Sequence, residues 1–109
     1  MQALKLNTVA AKDSMFDMGV EKWDLILLSY VDMRHLAARV VRALAPGGIV
    51  IAEYFHRDSH GVSGGFGDNE LMSLFPELRV VRYEDAEGIS DFGKTKDRLV
   101  RLAAEKRPR

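Results

Sequence analysis

The chain has 109 residues, 47% of them hydrophobic, with 16 Lys+Arg against 16 Asp+Glu and a net charge of zero. That is the size of one small domain with enough apolar content for a core. The balanced charge gives no reason to expect nucleic acid or an anionic membrane as a partner. Cysteine is absent, which excludes disulfides, thiolate metal sites and cysteine nucleophiles and fits a reducing compartment. No apolar run reaches the roughly 18 residues of a membrane span, and Lys5, Lys12, Asp13 and Asp17 interrupt the first twenty positions, unlike a secretory signal. The expectation is a soluble protein of the cytoplasm.

In chain order, the small and β-branched residues of 8–12 suggest a short buried strand. Residues 14–22 follow as a loop or a single helical turn. Residues 23–29, Trp-Asp-Leu-Ile-Leu-Leu-Ser, form an apolar run of strand length with Asp24 as the one charge. A strand apolar on both faces is what a parallel sheet covered by helices demands. Asp32 can cap the next helix, whose stripe is Leu36, Val40, Val41 and Leu44, with Arg34, Arg39 and Arg42 opposite. Pro46 stops that helix, and Gly47-Gly48 supply the left-handed positions that turn the chain back. Residues 49–55 read as a second buried strand, so 23–55 is one parallel βαβ unit and the chain is α/β.

Residues 57–68 form a glycine-rich loop. Asp68 or Asn69 caps a short helix carrying Leu71, Met72, Leu74 and Phe75, and Pro76 ends it. Residues 78–84 and 98–104 read as two more strands, antiparallel to each other because no helix joins them. The cationic C-terminus, from Arg98 to Arg109, is expected to be a solvated tail. No repeat, low-complexity run or linker divides the chain, so 1–109 is one domain.

Three segments carry a likeness: WDLILLSYV, LAPGGIVIAEYF and SGGFGDNELMSLFPELRVVRYEDA. Together they resemble the second half of a class I S-adenosylmethionine-dependent methyltransferase, closest to the tellurite-resistance-type small-molecule enzymes. The likeness implies a partial Rossmann-like fold, a single truncated domain that lacks the first two strands of the family order 3-2-1-4-5-7-6. It implies a mostly parallel sheet with a C-terminal antiparallel strand. The family's glycine-rich cofactor loop and its ribose-binding acid, which lie ahead of the third strand, are not in these residues, and Gly64-Gly65-Phe66-Gly67 comes too late to replace them.

The likeness also implies roles. Asp13, Ser14 and Met15 would meet the adenine of S-adenosylmethionine, and Ser29 and Tyr30 its methionine part. Tyr54, His56, Arg57 and His60 would border a small-molecule acceptor. No catalytic residue is nominated, because methyl transfer from a sulfonium needs alignment and a dry site more than acid–base help. His56 and His60 with Asp58 form no convincing metal site in a loop. Each candidate has a plainer reading: Asp13 as a strand-end turn residue, Ser29 and Tyr30 as a strand end meeting water, and His56, Arg57 and His60 as a solvated loop.

An open apolar edge at 25–28 invites pairing, so the expectation is a homodimer or a chain that supplies the missing N-terminal half. Two other readings stay open: a non-catalytic methyltransferase-like module, dimeric or binding, and, ranked last, a receiver-like signalling domain with Asp13 as a loose phospho-acceptor.

Overall fold

The computed structural model describes residues 18–31, 33–59, 64–89 and 96–108. The expected strand at 8–12, the adenine contacts Asp13, Ser14 and Met15, the cap Asp32, and His60 lie outside them. The elements are β1 (Trp23–Ser29), α1 (Ala37–Ala43), β2 (Leu44–Phe55), α2 (Glu70–Ser73), β3 (Arg79–Ile89) and β4 (Lys96–Glu105). The four strands form one sheet in the order β1-β2-β4-β3. This is the order 4-5-7-6 that the resemblance implies for the second half of the fold.

The sheet is mixed rather than mostly parallel. β1 pairs with β2 in parallel, and β4 pairs antiparallel with both β2 and β3. The reason is one reversed strand in the interior: β1, β2 and β3 all run one way, and β4 turns two of the three pairings antiparallel. The hairpin that reverses it joins two long strands, so β3 and β4 extend well beyond the 78–84 and 98–104 read from the apolar runs alone.

The register explains the core. Leu28 lies opposite Ala52, Ala52 opposite Leu102, Val50 opposite Ala104 and Tyr54 opposite Val100, all on one face. Leu28, Val50, Ala52, Val100, Leu102 and Ala104 are buried there with Met33, Ala37, Val40 and Leu44 from the α1 region and Leu71 and Phe75 from the α2 region. The other face is not covered in the same way. Leu27 is 62% exposed and its register partner Ile51 is 43% exposed. The expectation that β1 is buried on both faces therefore holds only for the face that α1 and α2 cover.

The Pro-Gly-Gly segment lies inside β2 rather than before it, and α1 ends at Ala43, short of Pro46. Trp23 pairs with Leu44 and Leu25 with Ile49, so five positions of β2 oppose two of β1 and the intervening residues bulge. Gly48 has no room for a side chain, since a Cβ would stand 2.8 Å from both the Ala45 and Trp23 carbonyl oxygens. Lys106 closes this corner. Its backbone exchanges two hydrogen bonds with Gly47 and Gly48, each 2.8 Å, and its Nζ donates to the Val41 and Leu44 carbonyls at 2.9 Å, satisfying the end of α1. Asn69 precedes α2 with φ of 61° and gives no side-chain cap. Glu70, the first residue of α2, instead turns back and accepts from the Gly67 N–H at 2.9 Å, tying the helix to the segment before it.

One-sided packing makes a paired prediction. Leu102→Ala, opening a hole beneath α1 and α2, should cost about 2–5 kcal/mol in urea unfolding. Leu27→Ser, on the uncovered face, should stay within about 0.5 kcal/mol of wild type when both are unfolded as dilute monomers.

Candidate functional site

In open α/β sheets ligands bind at the carboxyl ends of parallel strands, and here these are the ends of β1 and β2. Ser29, exposed, sits opposite Glu53 in the register. Tyr30 follows with φ of 55°, a left-handed conformation that bulky residues rarely take. Two bonds hold it there: its N–H donates to the Glu53 carbonyl at 3.0 Å, and its hydroxyl donates to Glu53 Oε2 at 2.5 Å. Arg101 Nε, from β4, donates to the other oxygen, Oε1.

Burial works against the ionised form of Glu53, but the Tyr30 hydroxyl and Arg101 outweigh it and hold the carboxyl below its usual range. The aromatic rings form a ladder across this end of the sheet. Tyr30 lies 5.0 Å from Phe55 and 6.2 Å from Tyr54, and Tyr54 meets Phe66 edge-on at 5.5 Å.

His56 follows β2 and is buried rather than in a solvated loop. The Asp58 N–H donates to its Nδ1 at 3.0 Å, and its Nε2 stands 2.8 Å from Asp68 Oδ1. A ring whose Nδ1 accepts carries its proton on Nε2, so Nε2 donates to Asp68. Around this pair Arg98 bonds Asp85 at 2.7 and 3.0 Å, Asp68 at 3.3 Å and Asp58 at 3.4 Å. The Asp68 carboxyl is lowered, mainly by the bond from His56 and with help from Arg98. His56, Asp68 and Asp85 bring their donor atoms within 4.8 Å of one another, the residue types of a metal site. The tautomer argues against that use, because a protonated Nε2 is not a ligand and Arg98 already occupies both carboxylates.

These bonds pin the glycine segment over the strand ends. Arg57 N–H donates to the Phe66 carbonyl at 2.8 Å and Phe66 N–H to the Phe55 carbonyl at 3.0 Å. A Cβ on Gly65 would lie 2.7 Å from the His56 carbonyl group, so only glycine passes. Arg34, before α1, donates to the Gly64 and Gly65 carbonyls at 3.0 and 3.1 Å, pairs with Glu70, and lies 4.2 Å from the Phe66 ring. The Arg57 guanidinium rests against Gly67, 3.6 Å from Glu70.

Of the sequence candidates, Ser29, Tyr30, Tyr54, His56 and Arg57 thus meet at one end of the sheet, with His56 turned inward. Glu53, Asp68, Glu70, Asp85, Arg34, Arg98 and Arg101 escaped sequence reasoning. Glu53 had a signal, since a lone carboxylate in the apolar run 49–55 needs a partner. An open groove of about 610 Å³ lies along α1, lined by Ala37, Val41, Leu74, Pro76 and Lys106 among others; Arg34 borders it too, but none of the residues nominated from the sequence does.

No protein-family model matches this sequence, and no curated protein matches it by sequence. Solved structures do match. An S-adenosylmethionine-dependent methyltransferase from Methanosarcina mazei has a TM-score of 0.71 at 13% identity, covering 94% of this chain and 67% of its own. TehB from Haemophilus influenzae has a TM-score of 0.66 at 17% identity, covering 84% of this chain and 40% of its own. This chain has the methyltransferase fold. A third match is the 1,6-didemethyltoxoflavin-N1-methyltransferase of Burkholderia thailandensis, solved with 1,6-didemethyltoxoflavin and S-adenosylhomocysteine. It has a TM-score of 0.61 at 18% identity and covers 86% of this chain and 48% of its own. The chain therefore spans between 40% and 67% of the length of these methyltransferases. Among the described residues, no helix is long and apolar enough to cross a membrane.

The lowered carboxyls at this end set an acid response. A carboxyl whose folded pKa is depressed stabilises the fold above its unfolded value, 4.5 for Glu53 and 3.8 for Asp68, and that contribution is lost as pH falls through the folded value. The urea midpoint should fall as pH drops below these values. Glu53→Gln should flatten the fall, and an unchanged profile would remove Glu53 from the account.

Proposed function

We propose that this chain is an S-adenosylmethionine-dependent methyltransferase, or a fragment of one, that transfers a methyl group to a small-molecule acceptor in the cytoplasm. The observation that carries the reading is the sheet order β1-β2-β4-β3 with β4 alone reversed, joined to a strained tyrosine at the carboxyl end of β1. The cofactor would be met by Asp13, Ser14, Met15, Ser29 and Tyr30, and the acceptor bordered by Tyr54, Arg57 and His60. His56 would act from behind, fixing the turn that carries Arg57.

S-adenosylmethionine supplies the electrophilic methyl group when bound. The chain's own residues have the simpler tasks of alignment and exclusion of water. The ring ladder of Tyr30, Tyr54, Phe55 and Phe66 provides an apolar, stiff wall for that purpose. The residues at the strand ends fit such a ligand, since they set the partly exposed rings of Tyr30, Tyr54 and Phe55 side by side, and aromatic faces attract a cation. The partner in this reading is a second copy of this chain or a chain that supplies the remaining part of the fold. Leu27 and Ile51, exposed on the uncovered face, favour such association. The same exposure favours the second reading, a methyltransferase-like binding module without catalysis.

Titration calorimetry with S-adenosylhomocysteine, on a sample whose mass is known from light scattering, decides between them. Micromolar binding by an associated species is expected. An associated species that takes up no ligand would leave the non-catalytic module, and tight binding by the monomer would contradict the need for completion.

A further inference from the structure

Tyr30 is the one aromatic residue with a left-handed backbone among the described residues. Strain of this kind persists only where the surroundings over-determine it, and it clusters at ligand sites. Two of the bonds that hold it come from one residue. Glu53 accepts from both ends of Tyr30, the backbone N–H at 3.0 Å and the hydroxyl at 2.5 Å. Glu53 is itself held by Arg101, whose guanidinium lies 3.9 Å from Glu84. Ser29, Glu53, Arg101 and Glu84 are register partners in sequence across the sheet, so a single polar row runs from β1 through β2 and β4 to β3. No other charged side chain interrupts β2 between Ile49 and Phe55.

We propose that Glu53 is a positioning residue, which clamps Tyr30 in its left-handed conformation so that the phenolic oxygen is offered to the ligand as a hydrogen-bond acceptor and a partner for positive charge. This rests on the cofactor reading above and deepens it, because it assigns the charged sulfonium, rather than the neutral thioether, as the form the strand end prefers. A phenol whose proton is committed to a carboxylate can only accept from whatever else it meets. Its oxygen is also richer in electrons than a free phenol's. Arg101 binds Oε1 and leaves Oε2 to Tyr30, so the two partners do not compete for one oxygen. The depressed pKa of Glu53 keeps the carboxylate ionised throughout the neutral range.

The test uses the wild-type chain and four variants: Tyr30→Phe, Tyr30→Gly, Tyr30→Ala and Glu53→Gln. Proton NMR should show a strongly deshielded phenolic proton in wild type that Tyr30→Phe and Glu53→Gln both lose. Tyr30→Gly should melt above Tyr30→Ala, because both lose the ring and only glycine takes the positive φ without strain. Glu53→Gln should lower the preference for S-adenosylmethionine over S-adenosylhomocysteine by roughly tenfold while leaving affinity for the latter nearly unchanged. A purely structural Glu53 would weaken both ligands alike.

The proposal is overturned if Tyr30→Ala melts as high as Tyr30→Gly, if the deshielded proton is missing from wild type, or if the ligand ratio does not move in Glu53→Gln. Should wild type bind neither ligand, the cofactor reading falls and so does the sulfonium preference, while the NMR and melting arms still decide whether the clamp exists. Should wild type bind both and the ratio stay fixed, the cofactor reading stands and the clamp's role is lost.

Discussion

Strand β4 enters the sheet backwards, between β2 and β3, and the rest of the molecule is arranged around that insertion. Its alternate residues Val100, Leu102 and Ala104 supply the middle of the core on one face. On the other face Arg101 neutralises Glu53 and approaches Glu84. Nearer the start of the strand, Arg98 gathers Asp58, Asp68 and Asp85 around His56. The same strand therefore contributes the apolar seam under the helices and both cations that organise the carboxyl ends of β1 and β2. A hairpin can place these groups together only because a reversed strand presents its beginning where its parallel neighbours present their ends.

Much of this was legible in the residues. The apolar run 23–29, the helical stripe, the Pro-Gly-Gly corner and the run 49–55 specify a parallel βαβ unit through periodicity and turn chemistry alone. What periodicity could not specify was coverage. An apolar strand reads the same whether one face or both are covered, so Leu27 looked like core although it is exposed. Strand lengths were also hidden. The hairpin β3–β4 continues through Asp85, Glu87 and Asp97, beyond the apolar runs that marked its two strands, because backbone pairing holds the ladder where the side chains are charged.

The candidate site was legible by its position and not by its wiring. Strand ends pointed to Ser29, Tyr30, Tyr54, His56 and Arg57. The pairs that hold them are separated by long stretches of chain: Glu53 with Arg101, His56 with Asp68, Arg34 with Glu70. A charged residue far along the chain carries no local sign of its partner, and a histidine among Arg, Asp and Ser reads as solvated loop. Folding reverses that reading, since His56 is buried with both ring nitrogens engaged. Gly65 is explained in the same way: its need for glycine comes from the His56 carbonyl across the bridge, not from its own turn.

The central claim is that ligand chemistry resides at the carboxyl ends of β1 and β2, beneath the pinned glycine segment. The most direct measurement is a map of amide chemical-shift changes on adding S-adenosylhomocysteine to the isotopically labelled chain. The account predicts that the largest changes fall on Ser29, Tyr30 and residues 53–57. Changes confined to the groove along α1, at Ala37, Val41 and Leu74, would place the ligand elsewhere and contradict it.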